Sequence, residues 1–159
     1  MSLWYYFTAS EANVLAQQRK SSAMGRLEHD IALSAGWVSR TLESSGYRAD
    51  FRPNSLREVD RFFDDAGLRD LPPEELAAQV FAMGAYIGEV VRRARGGEWL
   101  APDTSLVLPD GTRCWPVQRA MERLMNGRRH SIEAWGVSLG LSMDPLPVFR
   151  RVFWKLVRP

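Results

Sequence analysis

The sequence predicts an α+β fold: a mostly helical single domain of five or six helices with one small antiparallel β-hairpin. Three observations predict it. Apolar residues recur at intervals of three and four along most of the chain, the period of an amphipathic helix. The one clear β signal surrounds Pro109-Asp110-Gly111, where Asp-Gly is a strong hairpin turn between two short apolar runs. No repeat, low-complexity stretch or linker divides the 159 residues, so one domain is expected over 1–159.

The elements follow in order. Leu3-Trp4-Tyr5-Tyr6-Phe7 reads as a strand or a packed arm. Thr8 and Glu11 have capping-box spacing, which starts a long helix over about 10–45. Met24, Leu27, Ile31, Ala35, Val38 and Leu42 share its buried face, Gly25 and Gly36 are expected to bend or split it, and Gly46 ends it. After an extended link, Ser55 and Glu58 predict a second capping box for a short helix whose buried face is Leu56, Val59, Phe62, Phe63 and Ala66. A third helix opens at Pro72-Pro73-Glu74-Glu75, with proline and acids in the first turn, and runs to about Arg95 before Gly96-Gly97. Leu76, Val80, Phe81, Gly84, Ile87, Gly88 and Val91 line its inner side.

A short strand at 98–100 and the hairpin 106–115 come next. Pro116 opens a helix with Val117, Ala120, Met121, Leu124 and Met125 inward and Asn126-Gly127 as its stop. Ser131 caps a helix holding Ile132, Trp135 and Leu139. Pro145 and Pro147 then precede a basic amphipathic segment at 146–158, whose apolar side is expected to pack on the domain.

Composition excludes several function classes. Hydrophobic residues make up 45% and charged residues 25%, which is globular and neither disordered nor membrane-like. Cys114 is the single cysteine, so no intramolecular disulfide can form. Residues 1–10 show no secretory signal pattern and no segment is long and apolar enough to span a bilayer, so the cytoplasm is the expected location. Charge is uneven: 1–112 carries 12 Lys+Arg against 16 Asp+Glu, and 113–159 carries 9 against 3. Mutual neutralisation in the fold is the expected outcome. The total of +2 makes a nucleic-acid partner unlikely.

The distinctive stretch is Met83-Gly84-Ala85-Tyr86-Ile87-Gly88-Glu89-Val90-Val91, followed by Gly96-Gly97-Glu98-Trp99. Gly84 and Gly88, four apart, let another backbone approach. Tyr86, Glu89 and Arg93 share a neighbouring face at spacings of three and four. Two readings stand: a tight helix crossing with Glu89 paired to an arginine, or a small polar site built from Tyr86, Glu89, Arg93 and Trp99. The order Gly-x-Tyr-x-Gly-Glu-Val, then Gly-Gly-x-Trp, then a strand pair, then Pro116 to Asn126-Gly127 resembles a loosely defined set of uncharacterised bacterial proteins. The resemblance spans about 55–142, implies a shared core there, and brings no established activity. By size and style, some small bacterial domains of this kind serve as immunity or partner proteins beside toxins.

Catalytic constellations are not found. Cys114 and His130 are the one conceivable thiol–imidazole pair, but Cys114 lies in a predicted strand and reads as a buried structural thiol, with His130 in an exposed loop. Glu28-His29-Asp30 point in three directions on a helix, and two histidines and one cysteine do not make a zinc site, so no metal and no cofactor are expected. Asp60, Asp64, Asp65, Asp70, Glu74 and Glu75 read as a solvated acidic face that can meet a basic partner. Six tryptophans exceed what a small core needs; Trp99 and Trp115, beside the hairpin, are the two expected to be exposed for binding. The function expected is therefore a non-catalytic protein-binding domain with another protein as partner. The alternatives are a ligand site or enzyme around Tyr86, Glu89 and Trp99, and nucleic-acid or membrane-surface association through the basic C-terminus.

Overall fold

The computed structural model describes residues 9–145. The Leu3–Phe7 arm, the Thr8 cap and the 146–158 segment lie outside those residues. Within them the chain forms one mostly helical α+β domain: α1 (Ala9–Ser44), α2 (Ser55–Asp65), α3 (Pro73–Arg95), β1 (Glu98–Leu100), β2 (Ser105–Val107), β3 (Arg113–Cys114), α4 (Pro116–Asn126) and α5 (Ile132–Ser138). The three strands form one antiparallel sheet in the order β1-β2-β3, with Trp99 opposite Leu106 and Leu106 opposite Cys114. The predicted hairpin is thus the central strand β2 and the edge strand β3, and the 98–100 run supplies the other edge. Gly111, at φ +84°, takes the left-handed position of the connecting turn, whose Asp110 carboxylate accepts the Thr112 N–H at 2.9 Å.

α1 is a single helix, and neither Gly25 nor Gly36 splits it. In its second half Ile31, Ala35, Val38 and Leu42 are buried, whereas residues 17–22 face solvent. α3 is the centre. Val80 and every residue from Ala82 to Val91 are buried, so the expected inner stripe becomes a helix enclosed on all sides. α1 and α4 are its main helical neighbours, and the sheet covers its C-terminal half through Trp99.

The two glycines of α3 accept different things. A methyl group on Gly84 would fall on the main chain of Val117, so this glycine seats α4 against α3. A methyl group on Gly88 would fall on the Trp99 indole. The close backbone approach expected at both glycines occurs at the first, and the second is the seat of a side chain.

The predicted starts and stops hold for α3 and α4, with Gly96 and Gly127 in the C-terminal cap positions. The capping box at Ser55 does not form. The N-cap of α2 is Asn54, and the Ser55 hydroxyl is buried, donating to the Arg52 carbonyl at 2.7 Å and accepting from the Tyr86 hydroxyl at 2.8 Å. A buried polar contact from α3 outweighs the local cap. On α4, Met121 and Met125 face solvent rather than inward, and Arg123 takes the interior position between them.

Arg123 explains how the uneven charge is used. Its guanidinium donates to Asp60 Oδ1 and Asp64 Oδ1, both at 2.7 Å, and to the Asp60 carbonyl at 3.0 Å. The same Asp60 carboxylate accepts the N–H groups of Ile132 and Glu133 and the Ser131 hydroxyl, at 2.7 to 2.9 Å. It therefore caps the start of α5 together with Ser131, whose hydroxyl accepts from Ala134 N as expected. Of the expected acidic face, Asp64, Asp65, Asp70, Glu74 and Glu75 are exposed, and Asp60 is half-buried. Asp60 and Asp64 bind the basic stretch of the same chain, which is the expected neutralisation given residue-level form.

Candidate functional site

The residues of the expected polar site assemble into two adjoining packing units. Glu89 is 6% exposed. Its carboxylate accepts the Trp99 indole N–H at 2.9 Å and two Arg92 N–H groups at 2.7 and 2.9 Å, with Arg93 at 3.8 Å. Burial pushes the Glu89 carboxyl up, but the bonds from Arg92 and Trp99 outweigh it, so the group stays below its ordinary range. It is a held carboxylate and not a proton donor. Trp99 is 2% exposed, which corrects the expectation that it faces a partner. The sheet and Gly88 enclose it.

Tyr86 faces the α2 side. Its hydroxyl donates to Ser55 and accepts the Phe51 N–H at 3.3 Å, and burial raises its pKa. Phe51, at φ +60°, holds a backbone conformation that non-glycine residues seldom adopt. Its ring packs on Tyr86 at 4.8 Å between centroids, and the Arg93 guanidinium lies over the same ring at 3.6 Å from the centroid. Phe51 is thus the link between Tyr86 and Arg93 that sequence spacing did not show. The polar groups of this region are satisfied by one another.

A second feature, open to solvent, lies at the end of β3. A cleft of about 280 Å³ runs between the β3–α4 corner and α5. Trp115, Arg119, Trp135 and Leu139 form its walls, with Cys114, Gln118, Glu122 and Arg113 completing the lining. Trp115 is 42% exposed. It is held in place rather than loose: its indole N–H lies 3.4 Å from Asp103 Oδ2, and Arg113, itself paired with Asp103 at 2.6 Å, sits 5.5 Å from the ring centroid. Trp115, Arg119 and Glu122 recur at spacings of four and three on one face of α4, a signal present in the sequence. Trp135 and Leu139 come from α5, and only the fold brings them opposite.

Arg119 is the unusual member. Its Nη1 donates to Glu122 Oε2 at 3.1 Å and lies 3.4 Å from His130 Nδ1, and its Nη2 donates to the Ser131 carbonyl at 3.2 Å. Its Nε is buried without a hydrogen-bond partner. An unmet buried donor costs about 1–3 kcal/mol. It is the single such side-chain atom among the described residues.

Cys114 lines the cleft but is unsuited to attack. Burial raises its thiol to about 11, and the thiol donates to the Leu106 carbonyl at 3.5 Å. His130 is half-buried in the 3-10 turn Gly127–His130 and faces Arg119 and Glu122. Among the described residues no cluster of His, Cys, Asp and Glu suits a metal ion, and no helix is long and apolar enough to cross a membrane.

Comparison of the chain with protein-family models, curated proteins and solved structures finds no match.

Proposed function

We propose that this chain is a non-catalytic protein-binding domain of the immunity or accessory kind, acting in the cytoplasm, and that it meets its partner at the Trp115 cleft. The observation that carries the reading is the contrast in exposure. Trp115 stands open at 42% beside a cleft with a second indole in its wall, while the polar groups around Glu89 are buried and mutually bonded. An exposed, braced tryptophan beside a concavity is the form of an interface anchor.

The test is capture from lysate, identification of the recovered protein by mass spectrometry, and rebinding of that protein after purification. Trp115→Ser is expected to weaken rebinding by about 2 kcal/mol or more, the size of an interface hot spot. Unchanged affinity for a folded Trp115→Ser variant overturns the reading.

A further inference from the structure

We propose that the cleft accepts one aromatic or large apolar side chain of a partner protein, and that Arg119 pairs with an Asp or Glu carboxylate next to it. The partner segment is thus an acidic peptide with an apolar anchor. This inference rests on the docking reading above and adds the chemistry of what docks.

Size comes first. At about 280 Å³ the cleft sits at the small end of the range for ligand sites, about 300–1,000 Å³. It suits one large side chain. Its walls suit the same occupant, since Trp115, Trp135 and Leu139 offer two indoles and an aliphatic group.

Charge comes second. The lining carries two arginines and one carboxylate. Arg113 is engaged by Asp103, and Glu122 is engaged by Gln118 and Arg119, so the acid in the lining is already bonded. Arg119 keeps its Nε without a partner. Nε and Nη2 form the side-on edge at which a guanidinium binds a carboxylate through two parallel bonds. Nη2 has one hydrogen on Ser131 and a second to give. A carboxylate reaching that edge as Arg119 turns toward the cleft would satisfy the orphaned donor. On the following turn Arg128 is engaged by Asp64 at 3.0 Å, which leaves Arg129 as the cation that turn adds. The sign of the region therefore favours an acidic segment over a basic one.

The experiment uses the full chain and nitrogen–proton correlation NMR, with the indole signals of Trp115 and Trp135 and the Arg119 Nε–H signal assigned from Trp115→Phe, Trp135→Phe and Arg119→Lys variants. The probes are acetyl-Gly-Phe-Glu-Gly-amide, its Gln and Lys counterparts, and a single-stranded oligothymidine. The Glu peptide is expected to move all three signals and to bind about tenfold more tightly than the Gln peptide, the difference a charge-assisted bidentate pair supplies. Arg119→Gln and Arg119→Lys are both expected to shrink that preference, with the Trp99 indole signal in place as the check on folding. Equal binding of the Glu, Gln and Lys peptides overturns the proposal, as does movement by the oligonucleotide alone. If no peptide moves these signals while Trp115→Ser still weakens the purified partner, the carboxylate rule fails and the docking reading stands. If Trp115→Ser leaves partner affinity intact as well, both fail.

Discussion

Trp99 and Trp115 stand at opposite ends of the same sheet region, and each indole N–H meets a carboxylate. Glu89 receives the first at 2.9 Å and Asp103 the second at 3.4 Å. Their fates differ because of what faces them. Trp99 meets Gly88, a position with no side chain, and sinks into the core. Trp115 meets no such seat and remains at the surface. Two arginines one turn apart on α4 repeat the contrast: Arg123 is buried with Asp60 and Asp64, and Arg119 keeps an unmet Nε at the cleft. The same residue types thus serve as structure where their partners are complete and as a candidate binding surface where they are not.

The contrast can be broken at its strongest point first. Arg123→Met is expected to cost about 3–5 kcal/mol in urea unfolding, because it leaves Asp60 and Asp64 without their common cation. Gly88→Ala follows, at about 3 kcal/mol from overpacking, since the new methyl group displaces the Trp99 indole. A red shift in tryptophan emission should accompany it. Loss of stability without any change in emission would show that the seat tolerates the methyl group by moving α3 instead.

Arg119→Met is expected to cost only about 1 kcal/mol, because the bonds lost to Glu122 and Ser131 are offset by removal of the unmet donor. A cost equal to that of Arg123→Met would erase the distinction between the two arginines. The pH dependence sharpens the Glu89 side. Its folded-state pKa is lowered, so its contribution is complete above the unfolded value of about 4.3 and is lost as pH falls through the folded value. Asp64, lowered chiefly by its bond from Arg123, acts in the same direction in the same acid range. Glu89→Gln is therefore expected to flatten the acid limb of a stability–pH curve without abolishing it. Trp115→Ser should have the smallest effect on stability, within about 0.5 kcal/mol, as a surface substitution. A large loss there would reassign Trp115 to the structural side.

The candidate site was partly legible. The place of Trp115 beside the hairpin predicts its exposure, and its alignment with Arg119 and Glu122 lies in the spacing on α4. Trp99 was assigned the same exposure from the same kind of position, and the structure buries it. Nothing local separates the two tryptophans. The glycine that decides the matter is on α3, eleven residues before Trp99, and belongs to the sequence as a helix-packing residue without stating which side chain it will receive. Spacing predicts Tyr86, Glu89 and Arg93 together on one face of α3, whereas the structure turns Tyr86 to Ser55 and Glu89 to Trp99, and Phe51, which joins Tyr86 to Arg93, comes from a loop with no periodic signal.

By itself the sequence determined the helices, their glycine and proline boundaries, the Asp-Gly turn and the absence of a recognisable catalytic motif. Those follow from backbone sterics and side-chain periodicity within a few residues, which are local properties. The tertiary structure decided which polar groups are complete. Asp60 caps α5 from 72 residues away, and Tyr86 reaches Ser55 over 31. The second displaced the serine cap that local pattern favoured, and the first drew Asp60 inward from an acidic face that is otherwise exposed. A buried hydrogen-bonding group must be satisfied by whatever the fold brings within about 3 Å, however distant in the chain. At Arg119 the fold supplies Glu122 and the Ser131 carbonyl to Nη1 and Nη2 and leaves Nε without a partner.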